Sequence, residues 1–124
     1  MNSKILDSFG EKIVTQIIDR YYKQIPVEIQ EGLNIPERKE LNGVFDKLTD
    51  NEKKLLIKFI IDLINSTLFD YLEFFELNPE FKLTFDEGGQ QISLIEISEM
   101  LKAEPLGDDG WIERFSKYKT SLPT

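Results

Sequence analysis

The chain has 124 residues, with 15 Lys and Arg against 23 Asp and Glu, so its formal net charge is −8 at pH 7. This length predicts a single domain over residues 1–124, and the acidic balance argues against nucleic-acid binding, because Lys and Arg neutralise most phosphates in such complexes. Cysteine is absent, which excludes disulfides and thiolate metal sites and favours the cytoplasm as the compartment.

The first predicted helix runs from Ser3 to about Gln24. Apolar residues recur in it at intervals of three or four, as an amphipathic helix requires, and they are Leu6, Phe9, Ile13, Ile17 and Tyr21. Asp19 belongs to the opposite, polar face. Gly10 would permit the close approach of a neighbouring segment. Pro26 is expected to end the helix, because a proline disfavours helical geometry in the residue before it.

A short amphipathic helix is predicted from Glu37 to Leu48, and a long central helix follows over about residues 50–77. Thr49 and Glu52 have the spacing of a capping box, which marks the start of the long helix. Residues 55–75 are apolar around most of the helix circumference, so we expect other segments to enclose this helix on most sides. Its four charged residues argue against a membrane span. Pro79 stops it.

Beyond Pro79 the apolar residues alternate, and a short strand is predicted over residues 81–85. The segment after the Gly88-Gly89 turn allows two structures. A strand returning from Ile92 would complete a hairpin, but the spacing favours a helix from Ser93 to Ala103. A last helix is predicted from Trp111 to about Lys119. The fold class is therefore mainly α: a single-domain helical bundle around the central helix, with a short strand or hairpin near 81–97.

Histidine is absent, which removes the commonest general base and the commonest nitrogen ligand of metals. Two pairs of glutamates have the i, i+3 spacing that a magnesium cluster uses, and they are Glu73 with Glu76 and Glu96 with Glu99. The pattern resembles that of the all-α nucleotide pyrophosphohydrolases, in which Glu-x-x-Glu is followed by Glu-x-x-Asp on a later helix. That resemblance implies a magnesium-dependent hydrolase, although Glu99 stands where the family has aspartate. Chance pairing on solvated helix faces is the simpler explanation.

The segment 107–118 has the composition of a binding surface, because Trp, Tyr and Arg dominate binding hot spots. Its candidate partner-binding residues are Asp108, Asp109, Trp111, Glu113, Arg114 and Tyr118. Packing of the same aromatic side chains onto the core is the alternative interpretation.

These observations favour a non-enzymatic role. We predict a small acidic protein-binding module for a basic protein partner, of the kind that inhibitor and immunity proteins represent. The alternatives are the pyrophosphohydrolase and a self-associating structural subunit, in which a second copy covers the central helix to form a homodimer. No cofactor, nucleic-acid partner or membrane partner is predicted.

Overall fold

The computed structural model describes residues 2–123, and roughly the first quarter of the chain is one continuous helix. The helix consists of α1 (Asn2–Ile13), a π-helical segment (Val14–Ile18) and α2 (Asp19–Glu31), with helical backbone angles at both junctions. We call it the N-terminal helix. It extends beyond the predicted end and contains Pro26. Burial of Ile29 against the core offsets the hydrogen bond that the proline cannot donate, and Gly32, with φ of 80°, ends the helix.

The second part of the chain forms a short helix and the long central one. A 3₁₀ turn (Pro36–Arg38) leads into α3 (Lys39–Asp46), and α4 follows over Asp50–Leu77, as predicted. The capping box that begins α4 is present: Glu52 N donates to Thr49 Oγ1 (3.1 Å), and Thr49 N donates to Glu52 Oε1 (2.8 Å). The hydrogen bond that the Glu52 carboxylate accepts from the Thr49 backbone N–H, with a smaller effect from the Thr49 side chain, lowers the pKa of this carboxyl group.

The expected enclosure of α4 is wrong. Only Ile57, Ile61 and Leu72 of this helix are buried, whereas several of its large apolar side chains are exposed. Other segments pack against one side of α4, chiefly α2 and the 3₁₀ turn Leu101–Ala103. A chain of this length supplies too few elements to cover a 28-residue helix on its remaining sides.

After α4 the chain forms an antiparallel hairpin of β1 (Thr84–Glu87) and β2 (Gln90–Ser93), with Phe85 opposite Ile92. Gly88 and Gly89 both have positive φ, as a tight two-residue hairpin turn requires. The returning strand is therefore observed, but it ends at Ser93, and the helix favoured from Ser93 to Ala103 is present only over its first turn. This turn is α5 (Leu94–Ile97); Ser93 is at its N-cap position but its side chain makes no capping hydrogen bond, and the helical structure that follows is the 3₁₀ turn Leu101–Ala103.

Two hydrophobic clusters hold these elements together. One joins α1, the hairpin region and α6 (Trp111–Phe115), and the other joins α2, α3 and the first half of α4. The last predicted helix is shorter than expected, because α6 ends at Phe115 and a 3₁₀ turn follows at Lys119–Ser121. The observed fold is mainly helical, built around a long central helix, as the sequence predicts.

Candidate protein-binding surface

An open groove runs between the N-terminal helix and α4. Its volume is about 580 Å³. Its lining is almost wholly apolar and consists of Ile13, Ile17, Ile18, Tyr21, Ile60, Leu63, Ile64, Thr67, Leu68 and Tyr71. Because both walls are helices, the groove has the form that an amphipathic helix occupies in helix-in-groove recognition.

The π-helical segment Val14–Ile18 shapes one wall of the groove. Val14 and Ile18 point into the core and are buried, whereas Ile17 remains 46% exposed on the groove side. A π-turn is rare and occurs often at functional sites, where the extra residue re-aims the neighbouring side chains. Ile17 and Ile18 both line the groove, although Ile18 has almost no exposed surface.

Several large apolar side chains on these two helices lie open to solvent as one surface, which we call the apolar face. Its members, which all line the groove or the recess that continues from it, and their exposed fractions are Ile17 (46%), Tyr21 (49%), Leu63 (50%), Tyr71 (65%) and Phe74 (44%). At roughly 150–200 Å² for each fully exposed side chain of this size, the exposed parts amount to roughly 400–500 Å². This area lies within the range of the largest apolar patch on a typical monomer, about 300–600 Å², and such patches are often functional.

A second recess continues from the groove along α4. It has a volume of about 440 Å³ and is lined by Thr67, Asp70, Tyr71 and Phe74, of which Thr67 and Tyr71 also line the groove. Asp70 is thus an exposed carboxylate beside Tyr71 and Phe74. The ion pairs found within residues 2–123 do not include it.

The predicted partner-binding segment is held against the N-terminal helix by its tryptophan. Trp111 is 1% exposed and packs edge-on to Phe9, with ring centroids 5.6 Å apart. The ring lies directly over Gly10, where any Cβ would overlap it. Trp111 therefore contributes to the core, and its ring is not at the surface to contact a partner.

The other predicted residues of this segment are at least partly accessible. Asp108, Asp109, Glu113 and Arg114 are exposed, and Tyr118 is half-buried beneath Lys23. Arg114 pairs with Asp7 (2.9 Å) and Glu113 with Lys119 (3.1 Å). Partner binding by these side chains stays a prediction. They lie outside the groove and its recess.

The residue that sequence reasoning missed is Asp19, which is 4% exposed rather than on a solvated face. Its carboxylate accepts hydrogen bonds from Ser116 Oγ (2.5 Å) and from the backbone N–H of Lys117 (3.0 Å), and so ties the C-terminal segment to the N-terminal helix. Nearby, burial raises the pKa of Tyr22, the charges of Asp19 and Asp62 raise it further, and a hydrogen bond to Asn65 opposes them. No local pattern could reveal a partner 97 residues away in the sequence.

The two glutamate pairs of the hydrolase alternative do not form a metal centre. Glu73 pairs with Lys102 Nζ (2.7 Å), and Glu76 accepts a hydrogen bond from the Lys102 backbone N–H (2.8 Å), so both carboxylates fix the turn that follows the hairpin. These contacts raise the pKa of Lys102. Glu96 and Glu99 are exposed. Across residues 2–123, no three acidic side chains converge as metal ligands would.

Comparison with known proteins gives no match among family models, curated proteins or solved structures. None of the helices described between residues 2 and 123 combines the length and the apolar content that a membrane crossing requires.

Proposed function

We propose that this chain is a protein-binding module that docks a helix of a basic partner in the groove between the N-terminal helix and α4. The observation that carries the proposal is the apolar face: five large side chains of two neighbouring helices are about half exposed and line one groove or the recess that continues from it. A contiguous apolar surface of this extent on a small acidic protein is typical of an interaction site.

Charge supports a basic partner. The net charge of −8 attracts a basic protein over a distance and speeds encounter, while burial of the apolar face slows dissociation. Neutralisation of the bound partner, as inhibitor and immunity proteins achieve it, is the specific form of this function that the sequence predicts.

The test compares two exposed leucines of α4. Leu63→Glu places a charge in the groove, whereas Leu55→Glu places the same charge on the same helix outside the lining residues. Tagged wild-type and variant proteins are used to capture partners from the native host at low and high salt. We expect a basic protein that Leu55→Glu retains, that Leu63→Glu loses, and whose capture weakens with salt. Equal capture by both variants would contradict the proposal.

Self-association is a second candidate function. It is favoured by three large side chains of α4 that lie outside the groove lining and are at least half exposed: Leu55, Phe59 and Leu77. A second copy could cover them in a two-fold symmetric interface. However, each copy carries a net charge of −8, so association must overcome like-charge repulsion. Sedimentation equilibrium distinguishes self-association from the binding of a different protein. A wild-type dimer that the Leu55→Glu substitution dissociates would favour self-association.

A further inference from the structure

Among the described residues that line the groove or its recess, Asp70 is the one with an acidic or basic side chain. Its neighbours in the recess are Thr67, Tyr71 and Phe74. A helix docked in the groove would cover Thr67 and Tyr71, which belong to both cavities, and would exclude water from the recess. A carboxylate that loses water without gaining a partner is strongly destabilising.

We infer that the docked helix contributes an arginine that pairs with Asp70. The inference rests on the docking function proposed above and names the chemistry of its partner: an amphipathic helix with one arginine within its apolar face. Charge complementarity selects a basic residue, because Asp70 has no ion-pair partner within the part of the chain that the structure describes.

The rings beside Asp70 select arginine over lysine. Tyr71 and Phe74 line the same recess as the carboxylate. A guanidinium group is planar and weakly hydrated, so it can bind a carboxylate with two hydrogen bonds while it stacks on an aromatic ring. An ammonium group is a strongly hydrated point charge and gains less from such a recess.

A second copy of this chain fits the recess less well than a basic helix does. It would bring a further net charge of −8 to the surface that already holds the unpaired carboxylate. The observations therefore favour a different protein as the occupant.

The inference is tested with a displayed library of amphipathic helices that is selected on the wild-type protein. The enriched peptides are synthesised and titrated against the wild-type protein, Asp70→Asn and Asp62→Asn. Asp62 is the matched control, because it is an aspartate of α4 that is exposed as Asp70 is but lines neither cavity of the apolar face, and its substitution changes the net charge equally. Circular dichroism establishes that both variants fold.

We expect the enriched peptides to share an arginine at one position of their apolar face. Asp70→Asn should weaken their binding at least ~10-fold, because it removes one partner of a desolvated charge pair. Asp62→Asn should change binding by no more than about twofold, as a solvated charge does. Replacement of the shared arginine by lysine should weaken binding to the wild-type protein and leave binding to Asp70→Asn almost unchanged.

The other outcomes separate this inference from the proposed function. One outcome is a set of peptides that have no basic residue, lose affinity for the Leu63→Glu variant and bind the Asp70→Asn variant normally. Such peptides would refute the pairing of an arginine with Asp70 and would still support the groove as the binding site. If no selected peptide loses affinity for the Leu63→Glu variant, both the arginine pairing with Asp70 and the groove as a helix-binding site are refuted. A dimer in sedimentation that Leu63→Glu dissociates would identify the occupant as a second copy, and would also overturn the inference.

Discussion

Gly10 is the position at which one added methyl group should lower the stability of the fold most. The residue lies inside α1, where alanine is intrinsically better than glycine by up to ~1 kcal/mol. A Cβ there would, however, lie 2.3 Å from Trp111 Cγ, whereas ordinary contact begins at 3.4 Å. The Trp111 ring must therefore move by about 1 Å within a close-packed core.

The expected loss of stability for Gly10→Ala follows from how far the ring moves. A strained ring that stays buried costs about 1–3 kcal/mol. A ring expelled from the core forfeits roughly 200 Å² of burial, which is about 5 kcal/mol. After subtraction of up to ~1 kcal/mol for the gain in helix propensity, we expect the free energy of unfolding to fall by up to about 2 kcal/mol if the ring stays buried and by about 4 kcal/mol if it is expelled.

Gly43→Ala is the matched control for this prediction. Gly43 lies in α3, and a Cβ at this position would meet no atom within 4 Å. The same substitution should therefore stabilise the protein by about 0.5–1 kcal/mol. Urea unfolding, followed by circular dichroism and by the fluorescence of the single tryptophan, measures both variants. A Gly10→Ala variant as stable as Gly43→Ala would refute the close contact between Gly10 and the ring.

Three further predictions concern the contacts that hold the fold. Asp19→Ala leaves the Ser116 hydroxyl and the Lys117 N–H without their buried acceptor, so the free energy of unfolding should fall by about 2–3 kcal/mol. Thr49→Ala removes the capping box of α4 and should cost about 1 kcal/mol. Burial raises the pKa of Tyr22 in the folded state, so its contribution to stability is fully present below pH 10.0, the ordinary pKa of tyrosine, and is lost as the pH rises through the folded value. Tyr22→Phe should flatten this alkaline loss.

Urea titrations check these three predictions, at neutral pH for the first two and between neutral pH and about pH 11 for the third. An Asp19→Ala variant with unchanged stability would show that the C-terminal segment does not depend on that carboxylate. Thr49→Ala should lower stability without altering the groove, so peptide binding serves as its control. An alkaline stability profile that is identical in wild-type and Tyr22→Phe proteins would exclude Tyr22 as the titrating group.

The sequence predicts those parts of the fold whose causes are local. The bounds of α4 follow from the capping box at Thr49 and from the proline after Asn78, which act within a few residues of each helix end. The hairpin turn at Gly88-Gly89 follows from the freedom of two glycines to adopt positive φ. Where a contact between distant segments determines the structure, a local sequence pattern predicts it wrongly. Pro26 lies inside a helix because Ile29, which follows it, is buried in the core.

The candidate site could not be predicted for a related reason. Leu63 and Tyr71 belong to an apolar sequence in which no local pattern distinguishes the large side chains that become buried from those that stay exposed. Which of them remain exposed depends on how many segments pack around α4, and that is a property of the whole chain. Trp111 shows the converse, because composition alone marks it as a binding residue whereas its packing on Gly10 places it in the core.

Binding of a helix in the groove between the N-terminal helix and α4 is measured residue by residue by chemical-shift mapping of the ¹⁵N-labelled protein, titrated with a selected basic peptide or with the captured partner. A helix bound in this groove should cause its largest amide shifts around Ile17, Tyr21, Leu63 and Tyr71. Shifts confined to residues 107–118, with no change at those four positions, would refute binding in the groove. They would place the binding site in the C-terminal segment.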